Sequence, residues 1–473
     1  MRPNILWIVF DTARADAFEP YGASAGSSPV VADLARRGGA VAGVRSTACW
    51  TVPAHVSMFA GGMPRGLGFA RQAGLTPGNA EPIVAALRER LIAEVLRRSG
   101  YRTGAISANG WVSRRGGFAV GFERFVDRLK ARRVQAVSET RIARGRWMAE
   151  AALARGDDGA REAGARLRAW ISKPPAGPFF WFVNLVECHS PYLPPRSHTE
   201  LSLQDRIRAA REARVLLTLD EFWRACITGT VPPTGAIERM RAGYRGAVRY
   251  MDDWLGRVLE QLAAATLLDE TLVILSSDHG ENFGEGGLIG HGFSLDERLI
   301  EVPFVTAGPG SERLRDVRSL AEVPRRLAEI AEVANHPYDV ADTPRIPVAQ
   351  FDPPAPPRGD PRTDRAIALW DLDEPAVERL TTPMTAAVDG TLKLLRRGDT
   401  EEFYDLEADP LEGRPTDAGR LDGASVERLR AAVSHPAVVA TEARLDTKIA
   451  PPPEVPDHEL AEIEDRLRLL GYL

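Results

Sequence analysis

Cysteine is scarce in this chain: Cys49, Cys188 and Cys226 are the only three in 473 residues. An odd, unspaced trio excludes the disulfide framework that staples small secreted domains. Lysine is almost as rare, at positions 130, 173, 393 and 448 alone, so the basic residues are nearly all arginine. Those arginines are scattered and matched by carboxylates, leaving a net charge of −5. Such a balance removes any global electrostatic reason to expect a nucleic-acid partner. Long apolar runs are missing too, and nothing approaches the roughly 18 consecutive apolar residues of a membrane span. The opening "MRPNILWIVFDTARAD" imitates a signal peptide, but its apolar run stops at Asp11 and no small-residue cleavage site follows. A buried first strand explains it better, and a cytoplasmic protein is the expectation. Internal repeats, a glycine-rich dinucleotide fingerprint and a Walker-type phosphate loop are all absent.

What is present is an ordinary globular composition, 44% hydrophobic and 26% charged, laid out as alternating strands and helices. "NILWIVF" (4–10), "YRTGAIS" (101–107), "PFFWFVNLV" (178–186), "ETLVILSSD" (270–278) and "VPFVTAG" (302–308) read as strands. Between them "PVVADLARRGG" and "LRERLIAEVLRRSG" read as helices closed by glycine, and a long amphipathic helix covers roughly 236–264. The pattern predicts an α/β fold: a central, mostly parallel sheet flanked by helices. The stretch 346–362 breaks every periodicity and reads as a proline-rich linker or surface crossing. It divides a catalytic domain, 1–345, from a small C-terminal α+β subdomain, 363–473, with a helical tail. In that subdomain "RAIALWD", "MTAAVDGTLKLLRRGD" and "EEFYDL" read as short antiparallel strands. The region 196–232 shows neither clean period nor strong core and reads as an insertion near the site.

Three strands end in suggestive polar residues. Asp11 closes the first, Asp278 and His279 close another, and His189 lies just past a third. Open α/β sheets bind ligands at the carboxyl ends of their strands. Two carboxylates and an imidazole form a mixed oxygen/nitrogen site suited to one divalent cation, Mn, Mg, Zn or Ca. "TVPAHVSMFAG" reads as a helix start with Thr51 as its N-cap and Pro53 in the first turn. A hydroxyl there is either a plain cap or, beside a metal, a nucleophile favoured by the positive helix end.

Six motifs in order, "RPNILWIVFDTARAD", "TVPAHVSMFAGG", "ECHSPYLPP", "SSDHGENFGEGG", "GHGFSLDERLIEVPF" and "LKLLRRGDTEEFYDLEADPLE", together resemble the sulfatase family of the alkaline phosphatase superfamily. The terminal "RLRLLGYL" also fits. The resemblance implies an alkaline-phosphatase-like fold and a metal site of Asp11, Thr51, Asp278 and His279. It implies that His189 and His291 contact the transferred group or protonate the leaving oxygen, or else complete a second metal site. The departures from the family pattern set the chemistry. A sulfatase nucleophile is a formylglycine made from cysteine, sometimes serine, in Cys-x-Pro-x-Arg. Alignment on Pro53 puts Thr51 in that place and His55 in place of the arginine, with Cys49 two residues too early. Thr12 stands where the second acidic ligand is usual, and "SANGWVSRR" stands where the family carries Lys-Trp-His.

These departures imply a metal-dependent hydrolase that cleaves a phosphate or phosphonate ester through a phospho-Thr51 intermediate. The alternatives are a sulfuric ester hydrolase, a phosphotransferase or a catalytically silent metal-binding scaffold. Asn109 and His55 are expected at the substrate, with Arg114 a further candidate and His55 alternatively hydrogen-bonding beneath the site. Arg14 is either a phosphate contact or a salt-bridge partner of Asp16. Glu281 reads as a brace for the metal ligands, and His198, His336, His435 and His458 read as solvated. The partner is a small-molecule phosphate, phosphonate or sulfate ester, the oligomeric state being open.

Overall fold

The computed structural model describes residues 2–69, 77–127, 141–215, 219–228, 234–353 and 358–439. Its centre is strand β1 (Asn4–Phe10), every residue of which is buried. A strand buried on both faces is a run of apolar residues without alternation, and that is how "NILWIVF" reads. The remaining strands, in chain order, are β2 (Gly39–Ala40), β3 (Arg102–Ser107), β4 (Arg124–Val126), β5 (Phe179–Leu185), β6 (Thr271–Ser276), β7 (Asn282–Phe283), β8 (Ile289–Gly290), β9 (Phe304–Ala307), β10 (Val348–Phe351), β11 (Met384–Asp389), β12 (Leu392–Arg397) and β13 (Thr400–Asp405). The main sheet runs β2-β9-β6-β1-β5-β3-β4. Its β6-β1-β5-β3-β4 part is parallel, while β9 and β2 close one edge antiparallel.

Alternate residues of β1 feed two separate cores. Leu6, Ile8 and Phe10 pack with helices Ala160–Ile171 and Thr234–Ala264, whereas Ile5, Trp7 and Val9 pack against helices Thr51–Ala60, Ile92–Arg98 and Val323–Ile330. On the second face Trp7 meets Phe182 edge to face at 5.9 Å, and Phe59 lies 4.8 Å from the same ring. Helix Thr51–Ala60 is wholly buried, its polar Thr51, His55 and Ser57 included, which fixes the nucleophile candidate in place.

Several local readings change. Residues 346–362 do not simply cross the surface: Val348, Ala349 and Phe351 are buried in β10, which pairs with β11. Pro347 and Pro353 bracket a strand only four residues long, so proline hid it. "RAIALWD" is not a strand but the end of helix Pro361–Trp370. Five apolar residues in a row are too few to separate period 2 from period 3.6. The four-stranded sheet β10-β11-β12-β13 is antiparallel, as the alternating runs around it predict. Helix 87–100 divides into a 3-10 turn, Arg88–Arg90, and a helix, Ile92–Arg98, with Gly100 at φ +90° just beyond. The 196–232 region contains helices Leu203–Val215 and Leu219–Thr228. The "RLRLLGYL" end and His458 lie outside the described residues, and among those residues no helix is long and apolar enough to cross a membrane.

Candidate active site

The carboxyl ends of β1 and β6 lie side by side, and the turns leaving them carry the acidic groups. After Asp11 the chain reverses through Thr12, whose φ of 59° is a left-handed conformation disfavoured for a β-branched residue. The strain aims the Thr12 amide at Asp278 Oδ1, 3.3 Å away, while its hydroxyl donates back to the Asp11 carbonyl at 2.7 Å. Ser277 ties the two turns together, accepting from the Ala13 amide at 2.8 Å and sitting 2.7 Å from the Phe10 carbonyl.

This brings Asp11, Asp278 and His279 into one cluster, their ligand atoms all within 4.8 Å of one another. All three are fully buried. Burial, reinforced by repulsion from Asp278, pushes the Asp11 carboxyl up to about 7. Burial likewise lifts Asp278 to about 7 and lowers His279 to about 4. The outward oxygens, Asp11 Oδ1 and Asp278 Oδ2, accept no hydrogen bond. The His279 ring donates from Nδ1 to the Gly280 carbonyl at 3.0 Å, which turns the Nε2 lone pair inward. Two dry, hydrogen-bond-starved carboxylate oxygens and one oriented imidazole nitrogen are the donor set of a divalent cation. Among the described residues this is the one such group.

Thr51 adjoins it. The helix begins at Thr51 itself, so the cap is Trp50 in extended conformation and not the threonine. Thr51 Oγ1 lies 3.4 Å from His279 Nε2. Cys49 takes a different direction, its thiol among the backbone groups of Gly292 and Ser294 and pushed by burial up to about 12.

His291 and His189 complete the wall: the His291 ring lies 4.6 Å from that of His279 and 4.9 Å from that of His189. His291 Nδ1 is 3.0 Å from Glu281 Oε1, and Glu281 Oε2 accepts from the Tyr192 hydroxyl at 2.7 Å. Burial works against the imidazolium, but the Glu281 carboxylate outweighs it and His291 is held above its ordinary value. Glu281 thus braces a histidine rather than the cluster itself.

The expected substrate contacts lie one layer further back. Asn109 Nδ2 donates to Asp11 Oδ2 at 2.7 Å, so its amide steers a carboxylate of the cluster. His55 sits beneath, 3.0 Å from the Thr51 carbonyl through Nδ1, inside a ring of Phe59, Phe118 and Phe182. Burial lowers it to about 3, so it is neutral. Arg14 makes the ion pair of the second alternative: it bridges Asp16 and Glu285 and donates to the Glu281 carbonyl. Arg114 points away, to the Phe125 carbonyl at 2.7 Å. His198 is not solvated but pairs with Asp253 at 2.7 Å, and His336 and His435 are half-buried.

Asn184 was missed. Its Nδ2 lies 3.3 Å from Asp11 Oδ2 and 3.1 Å from His55 Nε2, joining the cluster to the helix behind it. The signal was visible, since Asn184 is the one polar residue in the apolar run of β5.

A mostly parallel sheet with an Asp-Asp-His cluster and a hydroxyl at its carboxyl edge defines an alkaline-phosphatase-like protein. Residues 3–339 match the Sulfatase family model, and the chain belongs to the sulfatase family. The choline-sulfatase of Rhizobium meliloti (strain 1021) is 30% identical over 187 residues, covering 37% of this chain and 33% of that protein. The multifunctional alkaline phosphatase superfamily protein PehA of Trinickia caryophylli is 37% identical over 86 residues, 18% of this chain and 16% of that one. The chain therefore spans a third or less of the length of these curated relatives. In fold it is similar to a 2-O GAG sulfatase, with TM-score 0.63 and 16% identity over 92% of this chain and 91% of that one. It is equally similar to the phosphonate monoester hydrolase of Agrobacterium radiobacter, with TM-score 0.62 and 16% identity over 92% and 95%.

Proposed function

We propose that this protein is a metal-dependent hydrolase that cleaves a phosphate or phosphonate ester through Thr51. The observation that carries the reading is the position of the threonine hydroxyl, 3.4 Å from His279 Nε2 at the acidic cluster, where Cys49 does not reach. Threonine has a methyl on Cβ and cannot become the aldehyde that formylglycine chemistry needs. Asp11, Asp278 and His279, with Thr51, would hold one divalent cation. Such an ion lowers the pKa of a bound hydroxyl and withdraws charge from a non-bridging phosphoryl oxygen.

The chain's own groups do the rest. Thr51 Oγ, its proton released to solvent, forms a bond to phosphorus as the bond from phosphorus to the departing oxygen breaks. His291, committed to Glu281 at Nδ1, gives a proton to that oxygen from Nε2. His189 lies against the transferred group. Water then cleaves the phospho-Thr51 bond, releasing phosphate or phosphonate and restoring the hydroxyl. Asn109 and Asn184 keep Asp11 oriented throughout.

A sulfate ester is the second reading, favoured by the similarity to a choline-sulfatase. Both are tested by turnover of aryl phosphate mono- and diesters, phosphonate monoesters and sulfate esters by the metal-loaded protein and its Thr51→Ala variant. Phosphorus-ester turnover that disappears in the variant supports the proposal. Sulfate turnover that survives Thr51→Ala overturns it.

A further inference from the structure

We infer that Lys393 is a positioning residue for this reaction, anchoring from the C-terminal sheet the segment 291–297 that presents His291; the inference rests on the proposed ester hydrolysis.

Lysine is rare here, yet Lys393 occupies a wholly buried position, the second residue of β12. Its ammonium donates to the Leu295 carbonyl at 2.6 Å and forms ion pairs with Glu412 Oε2 at 2.6 Å and Glu297 Oε1 at 3.2 Å. A compact ammonium with three donors suits that arrangement, and the flat fork of arginine does not. The network continues: Glu412 Oε1 accepts from the Glu297 amide at 2.6 Å, and Glu297 Oε2 is held by Arg45 Nε at 2.9 Å. Two cations and two carboxylates are thus buried together. An apolar quartet would stabilise the fold as well or better, so the charges point to a fixed geometry rather than to stability.

The geometry they fix is that of the catalytic segment. His291 is flanked by Gly290 and Gly292, at φ +74° and +94°, and two such glycines give the backbone little stiffness of its own. Downstream the chain is held between the turn after Asp278 and the stretch that leads to Thr51. The Gly280 amide donates to the Leu299 carbonyl at 2.8 Å, and the Ser46 amide donates to the Ile300 carbonyl at 2.7 Å. A Cβ at Gly280 would fall 1.9 Å from the Arg298 carbonyl oxygen, so only glycine allows that approach. Lys393 and Glu412 grip the segment's other side. Loss of that grip frees the His291 ring while Thr51 and the acidic cluster stay in place.

Lys393→Met and the charge-balanced Lys393→Met/Glu412→Gln variant test this, the second carrying the test if the first does not fold. The first readout is kcat/KM of the metal-loaded protein on phosphonate monoesters of rising leaving-group pKa. A misplaced general acid gives little change on the 4-nitrophenyl ester and a loss of roughly tenfold or more on alkyl esters. The exposed Arg428→Ala variant, on the neighbouring surface, keeps the wild-type slope. An equal loss on every ester, or no loss, overturns the inference. The second readout needs no turnover: in histidine-labelled protein the His291 ring resonances, assigned with His291→Gln, shift in the Lys393 variants while those of His198 stay. Unmoved His291 resonances overturn the inference. If the wild-type protein cleaves no ester, the functional reading fails while the resonances still decide the role of Lys393.

Discussion

Thr51 and Cys49 lie two positions apart, and backbone direction separates their fates. The threonine hydroxyl starts a helix at the acidic cluster, while the cysteine thiol is sealed against Gly292 and Ser294. Thr51→Ala is expected to lower kcat/KM on the best phosphorus ester by at least roughly a thousandfold, as removal of a nucleophile does. Cys49→Ala should keep phosphorus-ester turnover far above that of Thr51→Ala, since its thiol lies at Gly292 and Ser294 and not at the acidic cluster. Steady-state kinetics on both variants reads the pair. Asn109 donates to Asp11, so Asn109→Ala should weaken divalent-cation affinity by about 10- to 100-fold, measured by calorimetry. These roles were legible in part. Asp11, Asp278 and His279 stand at strand ends where any α/β sheet gathers its ligands, but the contacts of Asn109 with Asp11, His55 with Asn184 and Arg14 with Glu285 join residues far apart in sequence and leave no local sign.

Helix Pro29–Arg37 shows how elements depend on one another. Ser28 makes no side-chain cap, and the first amides, of Val30 and Val31, donate instead to Asp252 at 3.0 and 2.8 Å. Asp252 belongs to helix Thr234–Ala264, so one helix caps another across 222 residues of chain. Asp252→Ala should cost about 1–2 kcal/mol in a urea or thermal melt, the range of a lost N-cap. Burial raises the Asp252 carboxyl to about 6 although both amides favour its charged form. The folded state therefore holds the proton more tightly than the unfolded chain, whose value is near 3.8. That contribution is complete below about 4 and is lost as the pH rises through 6. Asp252→Asn should flatten this part of the stability–pH curve, measured as Tm between pH 4 and 7. The central strands announced themselves as bounded apolar runs and the long helices by period. The brief β10, between two prolines, and helix Pro361–Trp370 did not, because four to five apolar residues carry no period.

At the scale of the whole molecule the two sheets act on one site. The main sheet supplies the acidic cluster, and the C-terminal sheet presses on the segments around it: the Gln350 amide donates to the Thr47 carbonyl at 2.8 Å, and Arg65 pairs with Asp352 at 2.7 Å. A cation binding the folded cluster and not the unfolded chain should raise Tm with the logarithm of its excess over Kd. The increase should vanish in Asp11→Asn and Asp278→Asn, as differential scanning calorimetry with and without Mn or a chelator would show. Both carboxyls lie near 7 in the cation-free protein, and they ligate only when ionised. Cation affinity is therefore expected to fall as the pH drops below about 7 and to level above it, protons being released on binding. Titrations at pH 5.5 and 8 compare the two regimes.

The sequence by itself determined the class of fold, the ends of the buried strands and the placing of a hydroxyl before Pro53, because apolar period and strand-end polarity are local properties. Only the tertiary structure decided what those residues touch. That Asn184 joins Asp11 to His55, that Arg14 turns to Glu285, and that Lys393 reaches the segment of His291 depend on contacts over 129 to 271 residues for the first two, and 98 for the last. Such contacts leave no period behind, since they are set by how layers pack and by the need to satisfy every buried charge.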